Sequence, residues 1–272
     1  MLMQPVEWTD DGWWRPTTGK VPTDTFGSPA LPIGNFKFAQ SDEFESEKLG
    51  LQWFFTCPPD FGGKSWSLSE KSGVLCLRTQ PGDLTILTAL PVVFQQRVID
   101  KTFSFETKLT FAAHEGHEAA GLHMFHDPRM NFWLVSTVRD GKAVISVGKT
   151  NLGQRADLWS MPNPHGDTVH LKIVVNGEER ATFFFGPDGE QWTKLGDSIY
   201  FGASAHHLRG NLKGDPDLGW VGTYKTRAPD GEQIREGNVW TAATFGVFAI
   251  RDGAKATRNA DFEYFRVTPA VP

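Results

Sequence analysis

The chain has 272 residues, room for one large β domain or two smaller ones. Its formal net charge of −5 leaves no basic footprint for nucleic acid, and no apolar run approaches the roughly 20 residues of a membrane-spanning helix. Met1 to Trp14 has neither the basic start nor the apolar stretch of a secretory leader, so the expected compartment is the cytoplasm.

Residues 1–40 read as an extension rather than a domain. They are rich in Pro, Gly and Thr, with Trp8, Trp13 and Trp14 close together. A short strand at Val6-Glu7-Trp8 is expected, then a turn at Asp10-Asp11-Gly12 and an extended linker to about Gln40. From Ser41 the texture changes. Strands are predicted at 73–78, 92–98, 103–111, 119–126, 131–138 and 143–147, with turns at Asp127-Pro128-Arg129 and Asp140-Gly141-Lys142.

The clearest stretch is Thr168 to Ser198. Val169, Leu171, Ile173 and Val175 alternate with His170, Lys172 and Val174, the period of a half-buried strand. Asn176-Gly177 suits a tight hairpin turn, Arg180 to Phe185 is the second strand, and Pro187-Asp188-Gly189 turns the chain again. A short third strand is expected from Trp192 to about Gly196. The last strands are 244–250 and 261–267, and no helix longer than two turns is foreseen. Many strands separated by turns point to an all-β, two-sheet sandwich. Residues 200–239 break this rhythm and are expected to form an ordered insertion, because a long polar loop with this many aromatics is seldom disordered. Cys57 and Cys76 are expected to be two separate buried thiols.

Several strings, in order, resemble one family. They are Ser41-Asp42-Glu43-Phe44 with Leu49-Gly50-Leu51-Gln52-Trp53, Trp66-Ser67-Leu68, Gln95-Gln96-Arg97, Glu118 to Asp127, Phe184 to Trp192, and Ala260 to Phe265. Together they resemble the C-terminal concanavalin-A-like β-sandwich of glycoside hydrolase family 43 β-xylosidases. Gln4 to Trp13 is similar to the last segment of that family's five-bladed propeller. The resemblance implies an antiparallel concanavalin-A-like jelly-roll sandwich over 41–268. It also implies an accessory, carbohydrate-binding role toward plant-type polysaccharide fragments, with a propeller glycosidase or a second copy as partner, because the catalytic carboxylates of that family sit on the propeller. An aromatic that helps close the family's sugar pocket falls near Trp240.

Candidate residues follow from chemistry. Strand alternation puts His123 and Phe125 on one face and Leu122 and Met124 on the other, so His123 is a candidate for a concave sugar-binding face. Trp133, Trp220, Tyr224 and Trp240 are candidates for stacking on a sugar ring, Trp133 being equally readable as core. Ca2+ is the expected structural ion, held by the carboxylates of Glu43 and Asp261 where the first and last strands meet. His114-Glu115-Gly116-His117 is one residue short of a zinc-protease signature and reads as loop polarity. The competing reading is a stand-alone hydrolase or lyase whose site lies on the concave face and the 200–239 insertion. There His206, His207 and Tyr224 would supply the base and Arg209 the neutralising cation.

Overall fold

The computed structural model describes residues 5–17, 39–55, 65–82, 84, 93–98, 102–127, 130–151, 154–178, 180–200, 213–214, 222–223, 225–227, 233–236, 243–252 and 257–269. The chain divides into two compact units, Met1–Phe38 and Ala39–Pro272.

The first unit holds an antiparallel hairpin of β1 (Val6–Trp8) and β2 (Trp14–Pro16), the second strand lying where only linker was expected. Thr9 shapes the turn: its carbonyl accepts the Gly12 N–H and its own N–H donates to the Trp13 carbonyl. Register places Val6 opposite Pro16 and Trp8 opposite Trp14, with Glu7 opposite Arg15 between them. Alternation therefore gives the hairpin one apolar side and one side carrying the Glu7–Arg15 ion pair.

In the second unit the strands run β3 (Phe54–Phe55), β4 (Trp66–Ser67), β5 (Leu75–Arg78), β6 (Val93–Arg97), β7 (Phe103–Thr110) and β8 (Glu118–Asp127). They continue as β9 (Met130–Arg139), β10 (Lys142–Asn151), β11 (Gln154–Pro162), β12 (Thr168–Val175), β13 (Arg180–Gly186) and β14 (Thr193–Tyr200). Inside the predicted insertion lie two small ribbons, β15 (Lys213–Gly214) with β16 (Gly222–Thr223) and β17 (Lys225–Arg227) with β18 (Gln233–Glu236). β19 (Thr244–Arg251) and β20 (Asn259–Pro269) close the fold. The first large sheet has the order β11-β10-β9-β8-β19-β6-β3 and the second β14-β13-β12-β7-β20-β5-β4, every pairing antiparallel. There is no helix among the described residues. The predicted two-sheet sandwich is what forms.

The core lies between the sheets. β7 alternates buried and half-buried residues along its whole length, sending Phe103, Phe105, Thr107 and Leu109 inward. Phe245 of β19 meets Phe105 and Phe103 across the gap, with ring centres 4.9 and 5.1 Å apart, and Phe265 of β20 joins them at 5.9 Å. Each such ring, fully buried, contributes roughly 2–3 kcal/mol. Two of the family-like strings meet at the sheet entrance. Asp42 Oδ1 accepts the N–H of Phe44, which holds a positive φ of 54°, and Asp42 Oδ2 accepts the indole N–H of Trp53 at 2.8 Å. Trp53 in turn packs edge-on against Phe265.

Three local expectations are corrected. β11 was not foreseen; its Trp159 packs against Gly196 of β14, at the edge where the two sheets approach. β14 runs on to Tyr200 instead of stopping near Gly196. The last strand, expected over 261–267, runs from Asn259 to Pro269 as β20, an interior strand between β7 and β5 whose register slips between Phe262 and Phe265. That bulge puts both phenylalanines into the core and frees Tyr264 to face outward.

Candidate functional site

Side chains that leave the core point out from one sheet or the other. On the first sheet His123 and Trp133 are direct cross-strand partners, as alternation requires, and share their side with Phe125, Val135, Phe248 and Ile250. Trp133, Phe125, Val135, Phe248 and Ile250, with Leu84 and Ala119, form a second apolar cluster. His123 is fully buried and edge-on to Phe125 and Phe248, at 6.2 and 5.8 Å. Trp133, 4% exposed, packs against Gly148 of β10, where a Cβ would fall 2.3 Å from the indole. The guanidinium of Arg155 stands over its ring at 5.1 Å. His123 and Trp133 are thus brought together on one side of the sheet and packed under cover.

Toward β11 the same side becomes polar. Arg139 pairs with Asp157 at 2.7 Å, and a cavity of about 30 Å³ opens among Trp133, Thr137, Arg139, Arg155, Asp157 and Asp252. At the start of β8 the fully buried Glu118 accepts the backbone N–H groups of His114 and Glu115 and meets Arg258 Nε at 3.3 Å. The histidine-rich string at 114–118 is therefore a loop folded onto a carboxylate. Among the described residues no His, Cys, Asp or Glu group of three is placed to hold a metal ion.

The outward side of the second sheet carries charges in pairs: Lys172 with Glu106 at 2.9 Å, Lys108 with Glu263 at 2.8 Å, and Arg266 with Glu43 through two hydrogen bonds of 2.7 and 2.9 Å. The Arg266 hydrogen bond holds the Glu43 carboxyl below its ordinary range, against a smaller opposing effect of burial. Arg266 also covers the Tyr264 ring at 4.0 Å. Tyr264 and His170 Nδ1 share a buried hydrogen bond of 2.9 Å, capped by the tip of the Pro187-Asp188-Gly189 turn. Burial pushes the Tyr264 hydroxyl up to about 12, and burial, then the charge of Lys108, pushes His170 down. Asp261 meets Lys71 and lies across from Cys76, a free thiol raised to about 12 by burial and by the Asp261 carboxylate. The two carboxylates expected to bind Ca2+ therefore each face a protein cation. His206, His207, Arg209, Trp220, Tyr224 and Trp240 lie outside the described residues, as does Cys57.

Two seven-stranded antiparallel sheets around one aromatic core define a concanavalin-A-like sandwich. The family described as Beta xylosidase C-terminal Concanavalin A-like domain matches residues 41–268, and the chain belongs to it. Among curated relatives, the chain is 27% identical over 97% of its length to a non-reducing end alpha-L-arabinofuranosidase of Bacteroides ovatus, and 25% identical over 97% to a xylan 1,3-beta-xylosidase of a Vibrio species. In each case it spans 44% of the relative. A crystal structure of a glycoside hydrolase family 43 protein from Bacillus licheniformis superposes with a TM-score of 0.75 at 25% identity, covering 98% of this chain and 46% of that one. The chain thus spans less than half the length of the curated relatives it matches.

Arg139, Arg155 and Asp157, and the His170–Tyr264 pair, were not singled out from sequence. The charged alternation of Glu106 and Lys108 on β7 was a readable sign of a polar outward face. Nothing local signals a contact between His170 and Tyr264, 94 residues apart.

Proposed function

We propose that this chain is an accessory sandwich of a family 43 β-xylosidase or α-L-arabinofuranosidase system, seated against a propeller-type catalytic portion and not hydrolysing glycosides by itself. The observation that carries this reading is the state of five carboxylates carried by the two large sheets. Glu106, Glu118, Asp157, Asp261 and Glu263 each lie against a Lys or Arg. A glycosidase needs one carboxylic acid held protonated and a second carboxylate on the same side, roughly 5–9.5 Å away. Each of these five carboxylates is instead engaged in an ion pair with a protein cation. Among the described residues, the carboxyls whose pKa is displaced, Asp11, Glu43 and Asp188, are all displaced downward.

The seat on the catalytic portion is the apolar side of the N-terminal hairpin. Trp8 is 74% exposed and Trp14 58%, and two three-residue strands do not hold together alone in water. Residues 1–40 precede the family match, yet similarity to the relatives covers almost the whole chain. The substrates expected of the complete system are xylose- or arabinose-bearing fragments, after the names of those relatives.

The test is hydrolysis of aryl β-xyloside and aryl α-L-arabinofuranoside by the purified chain, alone and mixed with a separately prepared catalytic portion. The expected result is no turnover alone, and activity or stability of the catalytic portion raised by the chain but not by its Trp8→Ala/Trp14→Ala form. Turnover by the lone chain overturns the reading.

A further inference from the structure

The pocket beside Trp133 plays no part in that docking. Alternation along β9 sets Trp133, Val135, Thr137 and Arg139 on one side, so this surface passes from an indole to a guanidinium over about 20 Å. β11 adds Arg155 and Asp157 alongside, and Asp252 follows β19. The polar cavity of about 30 Å³ adjoins an apolar recess of about 10 Å³ bordered by Trp133, Phe248 and Ile250.

Size and charge narrow the ligand. A water needs about 10–15 Å³ of such space, so the cavity seats two or three oxygen atoms and not a whole ring. Among the described lining residues, two guanidinium groups and the His117 imidazole face two carboxylates, so both signs of charge are present and neither an anion nor a cation is singled out. A hydroxyl both donates and accepts, and two adjacent hydroxyls match a fixed donor–acceptor pair such as Arg139 and Asp157 at 2.7 Å. Both of those side chains keep about 40% of their surface in solvent, so a ligand can reach them.

We propose that this pocket binds the vicinal-diol edge of a neutral sugar ring. Arg155 and Arg139 donate to the hydroxyl oxygens, Asp157 accepts from the hydroxyls, and the C–H side of the ring turns toward the apolar recess. Binding is end-on and therefore weak, suited to the terminal unit of a longer glycan. It does not require the docking proposed above: either can fail while the other stands.

Calorimetric titration of the full chain with D-xylose, L-arabinose and D-galactose tests the inference. 2-Deoxy-D-galactose, D-glucuronate and D-glucosamine serve as comparison probes. The expected result is saturable binding of at least one neutral sugar. Asp157→Asn and Arg155→Gln should each weaken it about tenfold, the loss of one charge-assisted hydrogen bond, at an unchanged melting temperature. Removing one hydroxyl of the bound diol should weaken it similarly. If either variant unfolds, Asp252→Asn takes its place with the same direction expected. No saturable binding of any neutral sugar, binding undiminished in the folded variants, or glucuronate or glucosamine binding more tightly than the neutral sugars would overturn it.

Discussion

On the outward side of the first sheet, Phe125, Trp133, Phe248 and Ile250 bury one another around His123. On the outward side of the second, Glu106, Lys108, Lys172, Glu263 and Arg266 pair within reach of water. The strand alternation is the same in both; what differs is what the sheet must exclude. A sheet covered on both sides is apolar on both, so β9 reads as a near-continuous apolar run from Phe132 to Val135. A sheet with one side in solvent sorts its residues strictly, and β7 does so residue by residue. The difference locates the chemistry. The ion-paired side is finished with solvent-facing charges, whereas the apolar side ends, toward β11, in a cavity shared, among the described residues, by an indole, two guanidinium groups and two carboxylates.

Substitutions should separate the two sides by size of effect. The largest loss is expected on the covered side: Phe248→Ala, at 1% exposure, should cost about 3–5 kcal/mol in urea unfolding. A cost under 1 kcal/mol would mean that the cluster is not packed as described. Gly148→Ala should follow at about 1–3 kcal/mol, because the new Cβ overlaps the Trp133 indole and must displace it. Fluorescence of Trp133 and the melting temperature should shift together.

The third effect comes from pH. Burial, then the charge of Lys108, holds the pKa of His170 below its unfolded value near 6.5, so as pH falls the unfolded chain takes up the proton first. Stability from this group is therefore complete above about pH 6.5 and is lost as pH falls through the folded value. Unfolding free energies measured across that window should decline for the wild type and decline less for His170→Gln. Equal slopes would remove His170 from the account. The smallest effect belongs to the solvent-facing pairs: Lys108→Ala should change stability by about 0–1 kcal/mol, and less at high salt. A larger, salt-insensitive loss would mean that the second face is also covered.

The same contrast explains what the sequence revealed. β12 and β7 were legible because one side is core and the other is polar, leaving a period of two in plain view. β11 was hidden because it is an edge strand whose Arg155, Ala156 and Asp157 are all exposed, so no alternation marks it. Trp133 was ambiguous because Phe132 and Leu134 beside it are equally buried on the opposite side. The bulge in β20 has no signature in Ala260 to Phe265, and it alone decides that Tyr264 reaches His170 instead of the core. Asn176 sits in the turn that its sequence context indicates, and it acts there through its side-chain oxygen, which accepts the N–H groups of Glu178 and Arg180. Pairing of Glu106 with Lys172 and of Glu263 with Lys108 depends on strand register, which local sequence does not specify.

The most direct test of the accessory reading is sedimentation velocity on the chain mixed with a family 43 catalytic portion that lacks its own sandwich. A one-to-one complex that forms with the wild type and is lost in the Trp8→Ala/Trp14→Ala chain, while the sandwich itself stays folded, is the predicted result. Two species that sediment independently at every concentration would contradict it.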